Sequence, residues 1–316
     1  MRIVSLLPSS TEIVHALGAE ANLVGISHEC DYPEAVRGLP VLTSSKIDVS
    51  QLSADIDRDV RRVLTDALAV YDVDAEGLGE VRPDVVLTQD LCDVCAVSIR
   101  DVEAALREIA SEGVQLVSLR PTRLDDVDGA HGVLGDIERV ASALGEAAHG
   151  RRVADGLRGR LDALAHRAEE ALAASGAARP QVLTIEWIDP VMVGGTWMPE
   201  LVRIAGGEAM VTEPGQHAPT LDREALAALA PDVILVKPCG FDLARTAVEQ
   251  ASLEELVRSM PWSDAAKART FVADGNAFFN RPGPRLVESA EILAAITHPA
   301  AFADLRERHA AHYRPL

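Results

Sequence analysis

Short apolar runs, each closed by a polar turn, alternate with amphipathic stretches along this chain, and that alternation constrains the fold most. Arg2 to Leu7, Asn22 to Ser27, Asp84 to Thr88 and Val114 to Leu119 read as strands. Between them, residues 52 to 69 carry Ile56, Val60, Val63, Leu64 and Ala67 at helical spacing behind Ser53, and Val102, Leu106 and Ile109 mark another helix. A helix through Glu12, Ile13, Val14 and Leu17 is expected to start at a Ser9 or Ser10 cap and to leave through Gly18. Strands that alternate with helices pair in parallel, because each crossover returns the chain to the same edge.

The longest helical stretch sets Val153, Leu157, Leu161, Leu164, Ala168 and Leu172 at spacings of four and three. About 30 residues at 1.5 Å each give a rod of roughly 45 Å, long enough to serve as a spine for two lobes. Beyond its SGAARP exit the alternation resumes with strand Gln181 to Glu186, helix Pro199 to Ala205 and strand Asp232 to Val236. VRPDVVLTQD and LAPDVILVKP share a helix end, Pro-Asp and then a buried strand, which supports two similar lobes. The expected class is therefore α/β: lobes at 1–126 and 179–316, and a connecting region with the spine at 127–178.

A chain of 316 residues exceeds the usual growth of one core, in keeping with that division. Lys and Arg number 30 against 49 Asp and Glu, a net charge of -19 that repels a polyanion and argues against nucleic acid as a partner. No apolar run is long enough for a membrane-spanning helix. MRIVSLLPSS enters a strand at once with no room for a secretory leader, so the sequence as written leads to the expectation of a cytoplasmic protein.

Each of the four cysteines follows a strand: Cys30 after NLVGISHE, Cys92 and Cys95 after DVVLTQDL, and Cys239 after DVILVKP. Ligands of open α/β sheets gather at the carboxyl ends of strands, which makes these turns candidate site loops. A single cysteine so placed reads first as a small packing residue. Four of them could also hold zinc, copper(I) or an iron-sulfur cluster, and a C-x-x-C at a helix start could support redox exchange. His28 is the best candidate axial or metal ligand near them, with Glu29 or Asp31 available to fix its tautomer. Gln89, Asp90 and Asp93 flank the Cys92/Cys95 pair.

No phosphate-binding glycine loop, nucleophile elbow or H-E-x-x-H helix is present, so binding is expected rather than catalysis. The D-x-H-x-x-G device of corrinoid enzymes is missing too, although Asp128 and His131 come near it.

LLPSSTEIVHALGA, the DYP of HECDYP, RPDVVL, DPVMVGGTWMPELVRIAGGEA, DREALAALAPDVILV and NAFFNRPGPRL occur in an informative order. In that order they resemble segments of the cobalamin-binding members of the iron-siderophore and cobalamin solute-binding proteins that serve ABC importers. The resemblance covers nearly the whole chain and implies the class III periplasmic-binding fold: two Rossmann-like lobes, a helix between them, and a corrinoid in the interlobe cleft. Carried over, the ligand-facing positions would be Pro8, Ser9, Ser10, Asp31 and Tyr32 in the first lobe, and Gly194, Gly195, Trp197, Phe279 and Arg281 in the second. With His28, Gln89, Asp90, Glu186 and Trp187 from the strand ends, these form the expected ligand-binding set. Aromatic faces such as Tyr32, Trp187, Trp197 and Phe279 suit a large flat macrocycle.

Against the family pattern, the sequence as written shows no secretory leader and the lobe-tip carboxylates that dock on a transporter are not placed in it; about 25 residues around 50 to 75 look inserted, and QDLCDVCAVS is not a segment of the exported proteins. Three functions stand at this level. One is binding of a cobalamin-like corrinoid or other metal-containing ligand, with ABC transporter components as partners. Another is a metalloprotein, possibly an enzyme, holding zinc or an iron-sulfur cluster through Cys30, Cys92, Cys95 and Cys239. The last is a stand-alone sensor or scavenger of a different ligand.

Overall fold

The computed structural model describes residues 1–65, 70–89, 99–108, 113–125 and 132–316. The chain forms two compact units, one of Met1–Gln51 and Asp55–Leu157, the other of Leu52–Ala54 and Arg158–Leu316.

The first unit is built on strands β1 (Ile3–Ser5), β2 (Leu23–Ile26), β5 (Val85–Gln89) and β6 (Gln115–Leu119), and a separate pair is formed by β3 (Thr43–Ser45) and β4 (Tyr71–Val73). The four-stranded sheet runs β2-β1-β5-β6 with every pair parallel, as the alternation requires. Successive side chains along a strand point to opposite faces, and here both faces are covered. Ile3, Val85, Leu87 and Val117 pack with Ile13 and Val14 of helix Pro8–Ala16 and with Ile137 and Val140 of helix Val133–Ala143. Val4 and Val86 face the other way, against Leu78 of helix Ala75–Val81 and Val102 of helix Ile99–Glu108. Each such aliphatic side chain stabilises the fold by about 1.5–3 kcal/mol on burial, so a polar replacement at Leu87 would disrupt the layer. A Cβ on Gly25 of β2 would lie 2.4 Å from Leu42 Cδ1, so any larger residue there would have to displace the end of that leucine side chain.

The second unit is centred on β7 (Gln181–Trp187) and β10 (Val233–Val236), joined by β8 (Met192–Val193), β9 (Glu208–Ala209), β11 (Thr270–Ala273) and β12 (Tyr313–Pro315). β7, β10 and β11 pair in parallel, β9 lies parallel to β7, and β8 and β12 are antiparallel at the two ends of the β12-β11-β10-β7-β8 order. Every residue of β10 is buried, the pattern of a strand covered on both faces. Helix Leu286–Thr297 is buried on nearly all sides and forms much of the core.

The two Pro-Asp segments occupy equivalent places. Asp84 Oδ2 accepts the Arg2 N–H at 2.6 Å, and the Asp84 N–H donates to the Arg2 carbonyl at 2.8 Å. Asp232 does the same with Gln181, accepting its N–H on Oδ2 at 2.8 Å and donating to its carbonyl at 2.8 Å. In each unit the Pro-Asp carboxylate thus fixes the start of a neighbouring parallel strand.

The long helix extends over Ala147–Ser175, 29 residues, and the boundary between the units falls inside it after Leu157. In the second unit Arg160 holds it to Glu288 and Glu291, each at 2.9 Å, and Arg167 reaches Asp304 while lying over the Phe302 ring.

One local expectation is corrected. Neither Ser9 nor Ser10 caps the first helix: Leu7 is the cap residue, without a side-chain bond, and Pro8 opens the helix. Proline at the first helical position brings a preset φ and has no N–H to satisfy, so a serine cap is not needed. Gly18 leaves that helix at φ 65°, as expected of a left-handed exit.

Candidate functional site

In the first unit, the turn after β2 carries the predicted His28, Cys30, Asp31 and Tyr32. His28 and Tyr32 are exposed, while Glu29 and Asp31 are partly buried. The His28 Nδ1 lies 2.7 Å from the Thr43 hydroxyl, and the His28 backbone N–H donates to the same oxygen at 3.1 Å. Thr43 in turn donates to Ser27 Oγ at 3.1 Å. The Tyr71 ring packs beside the imidazole with centroids 5.4 Å apart, and its hydroxyl reaches Glu29 Oε1 at 3.4 Å. Desolvation lowers the His28 pKa below its ordinary value and keeps the ring neutral near pH 7. Tyr32 is 40% exposed and meets the His15 ring edge-on at 5.7 Å.

Thr43 and Tyr71 come from the β3–β4 pair. These strands bracket the helix Ser53–Thr65 in sequence, so of the two only Tyr71, one wall of the His28 environment, comes from the region that looked inserted. Pro8 is partly exposed, whereas Ser9 and Ser10 are buried. Ser10 lies 2.5 Å from Ser5 Oγ and donates to the Leu7 carbonyl, while the Ser9 hydroxyl is buried with no partner among the described residues. Gln89 is buried at the end of β5.

Cys30 belongs to the core of the first unit, 5% exposed, with Sγ 3.1 Å from Thr11 Oγ1. Cys239 is exposed in the second unit. Asp90, Cys92, Asp93, Cys95, Asp128 and His131 lie outside the described residues. Among the described residues no group of three or more His, Cys, Asp or Glu could hold a metal ion, so the expected cysteine-ligated zinc or iron-sulfur centre is not assembled there. Burial explains Cys30: a small thiol after a strand serves as a packing side chain.

In the second unit, Glu186 and Trp187 end β7 and are partly buried. Glu186 Oε2 accepts from Lys237 Nζ at 2.8 Å, and Lys237, with no exposed surface, also donates to Asn280 Oδ1 at 2.8 Å. Asn280 Nδ2 bonds the Lys237 and Gly275 carbonyls at 3.0 and 2.9 Å. This pins the turn that holds Phe279, which is fully buried at φ 67°. Trp197, 6% exposed, fixes the same turn by donating from Nε1 to the Phe279 carbonyl at 2.7 Å. Arg281, 7% exposed, donates to Asn276 Oδ1 at 2.8 Å. Gly194 and Gly195 are both buried, and a Cβ on Gly195 would lie 2.4 Å from the Ala218 nitrogen. The backbone therefore passes too close for any side chain there.

Trp187 packs against Phe241 with centroids 5.3 Å apart and donates to the Ser53 carbonyl at 3.2 Å. Ser53 is further held by Glu249, whose carboxylate accepts its N–H at 2.9 Å and its hydroxyl at 2.5 Å. Lys237, Thr43, Tyr71 and Glu249 were not picked out in the sequence. Lys237 alone carries a local signal, a charged residue directly after four apolar ones.

Among the described residues no helix is long and apolar enough to cross a membrane. Comparison with known proteins places this architecture. The vitamin B12-binding protein of Yersinia pestis (strain Pestoides F) is 23% identical over 307 residues, covering 95% of this chain and 89% of its own. A periplasmic heme binding protein from Pseudomonas aeruginosa superimposes with a TM-score of 0.67 at 21% identity, over 95% of this chain and 93% of its own. The periplasmic vitamin B12 binding protein of Vibrio cholerae gives a TM-score of 0.60 at 18% identity, over 95% and 97%.

These findings overturn the expected cytoplasmic location: the related proteins are periplasmic solute-binding proteins, which points outside the cytoplasm. The profile of the periplasmic binding protein family matches residues 3–276, and with the two α/β units and the long helix it follows that this chain belongs to that family, as a solute-binding protein of the class III fold.

Proposed function

We propose that this protein binds a metal-containing tetrapyrrole, a corrinoid of the cobalamin kind or a heme, and presents it to an ABC importer. The observation that carries the reading is the similarity to vitamin B12-binding proteins along 95% of the chain. Neighbours of the same fold whose names state B12 or heme binding support the wider ligand class.

The strand-end chemistry is compatible with such a solute. A flat macrocycle is held by aromatic and apolar surface with a few orienting polar groups. Tyr32, His28 and Tyr71 present that combination in the first unit, and Glu186 with Trp187 offers a carboxylate beside an indole in the second. The remaining proposed contacts are Pro8, Ser9, Ser10, Asp31 and Gln89, with Gly194, Gly195, Trp197, Phe279 and Arg281 acting through the shape of their buried turns.

Tryptophan fluorescence of the full chain tests the reading, because tetrapyrroles quench indoles held near them. Cyanocobalamin and hemin are titrated separately; saturable quenching by one of them is expected and identifies which. Linear, non-saturating quenching by both would overturn it.

A further inference from the structure

Five residues of the second unit close a ring of contacts at the carboxyl end of β7. The Arg245 guanidinium lies 4.0 Å over the Phe241 ring and reaches Glu249 Oε1 at 3.4 Å. Glu249 takes the Ser53 N–H on one carboxylate oxygen at 2.9 Å and the Ser53 hydroxyl on the other at 2.5 Å. Held in this way, Ser53 accepts the Trp187 Nε1–H on its carbonyl at 3.2 Å, and the Trp187 ring returns to Phe241 at 5.3 Å.

Ser53 enters this ring from a distant part of the chain. Leu52–Ala54 belong to the second unit, although the residues before and after them, Gln51 and Asp55, belong to the first. Leu52 is 49% exposed, so apolar burial does little to keep the segment in place. The polar bonds do so instead: hydrogen bonds to a carboxylate are the stronger kind, and Ser53 opens helix Ser53–Thr65, whose first N–H groups favour an anion. An indole turns about two side-chain torsions, and a ring face against Phe241 together with a bonded N–H leaves it one orientation. Trp187 is only partly buried, so that orientation decides which surface a solute meets.

We infer that residues 52–54 form a clasp that positions the Trp187 indole for the solute, with Ser53 and Glu249 as positioning residues rather than solute contacts. The inference rests on the proposed role of Trp187 as a tetrapyrrole contact and adds the element that aims the ring. Linkage makes the effect mutual: a solute that binds better to the clasped indole holds the clasp shut by the same factor.

The test is a double-mutant cycle on the full chain with Glu249→Gln, Trp187→Phe and the two combined, using cyanocobalamin and hemin as probes. Glu249→Gln keeps the size of the side chain and removes its charge and one acceptor, while Trp187→Phe keeps an aromatic face without the N–H. Without solute, Glu249→Gln should shift tryptophan emission to the red, and the shift should vanish in the Trp187→Phe background, where two tryptophans remain. With the probe that binds, Glu249→Gln should raise Kd about three- to tenfold, the scale of one hydrogen bond, and change it little in the Trp187→Phe background. Ser53→Ala removes one of the two bonds to Glu249, so it should act in the same direction by less and serves if Glu249→Gln does not fold. The bound probe should also slow proteolysis at residues 49–54 of the wild type.

An unchanged Kd, an equal rise in both backgrounds, or an emission shift that persists without Trp187 would overturn the clasp while leaving tetrapyrrole binding in place. Failure of the wild type to bind either probe would overturn both.

Discussion

Lys237 Nζ lies 2.8 Å from Glu186 Oε2, and no part of the lysine side chain reaches solvent. A buried ammonium persists when it is paired and its remaining donors are engaged, here by Asn280. Lys237→Met should leave the Glu186 carboxylate without its cation and cost about 3 kcal/mol, read as a lower urea midpoint. Adding Glu186→Gln should recover part of that loss. A single variant as stable as the wild type would show that the pair does not hold the turn.

The Asp232 contact with Gln181 is a second point of stability. Asp232→Ala removes an acceptor for the first N–H of β7 and should lower stability by about 1 kcal/mol, with Asp232→Asn retaining more. Asp84→Ala should behave alike, because Asp84 makes the same pair of bonds to Arg2. Thermal unfolding of the four proteins checks this; unequal effects at the two aspartates would deny their equivalence.

That correspondence shows why much of the fold was legible. Parallel strands covered on both faces read as unbroken apolar runs, so β5 and β10 stand out as VVL and VILV, each behind Pro-Asp. The long helix was visible because its buried Leu161, Leu164, Ala168 and Leu172 keep helical spacing. β3 and β4 were hidden, because strands of three residues with mixed exposure carry almost no periodicity. The environment of His28 was hidden with them, since Thr43 and Tyr71 meet it only through tertiary pairing. Strand-end position alone also could not separate the buried Cys30 from the exposed Cys239. Trp197 and Phe279 were legible as aromatics, but their burial depends on a turn fixed by Lys237 and Asn280.

Glu249 holds residues 52–54 in the second unit. Its carboxylate is 5% exposed and accepts two bonds from Ser53. Glu249→Ala should free this segment, exposing it to protease and costing about 1–3 kcal/mol for the orphaned donors. Limited proteolysis followed by mass mapping should show faster cleavage near residues 49–54. An unchanged cleavage pattern would mean that other contacts hold the segment.

Asp136 sets a pH dependence. Burial pushes its carboxyl from 3.8 up to about 7, against the pull of Arg139 and the Arg120 N–H. Between these values the folded chain holds a proton that the unfolded chain has released, so this group makes stability fall as pH rises from about 4 to about 7. Above that window both states are ionised and the contribution levels off. Asp136→Asn should flatten the profile, measured as urea midpoints from pH 5 to pH 8. Parallel profiles for the two proteins would contradict this origin.

The claim that the solute is a metal tetrapyrrole is tested most directly by equilibrium dialysis of the full chain against cyanocobalamin and, separately, hemin, with bound metal quantified. The account predicts saturable retention of one of them at one per chain. Retention of neither above that of a protein control would contradict it.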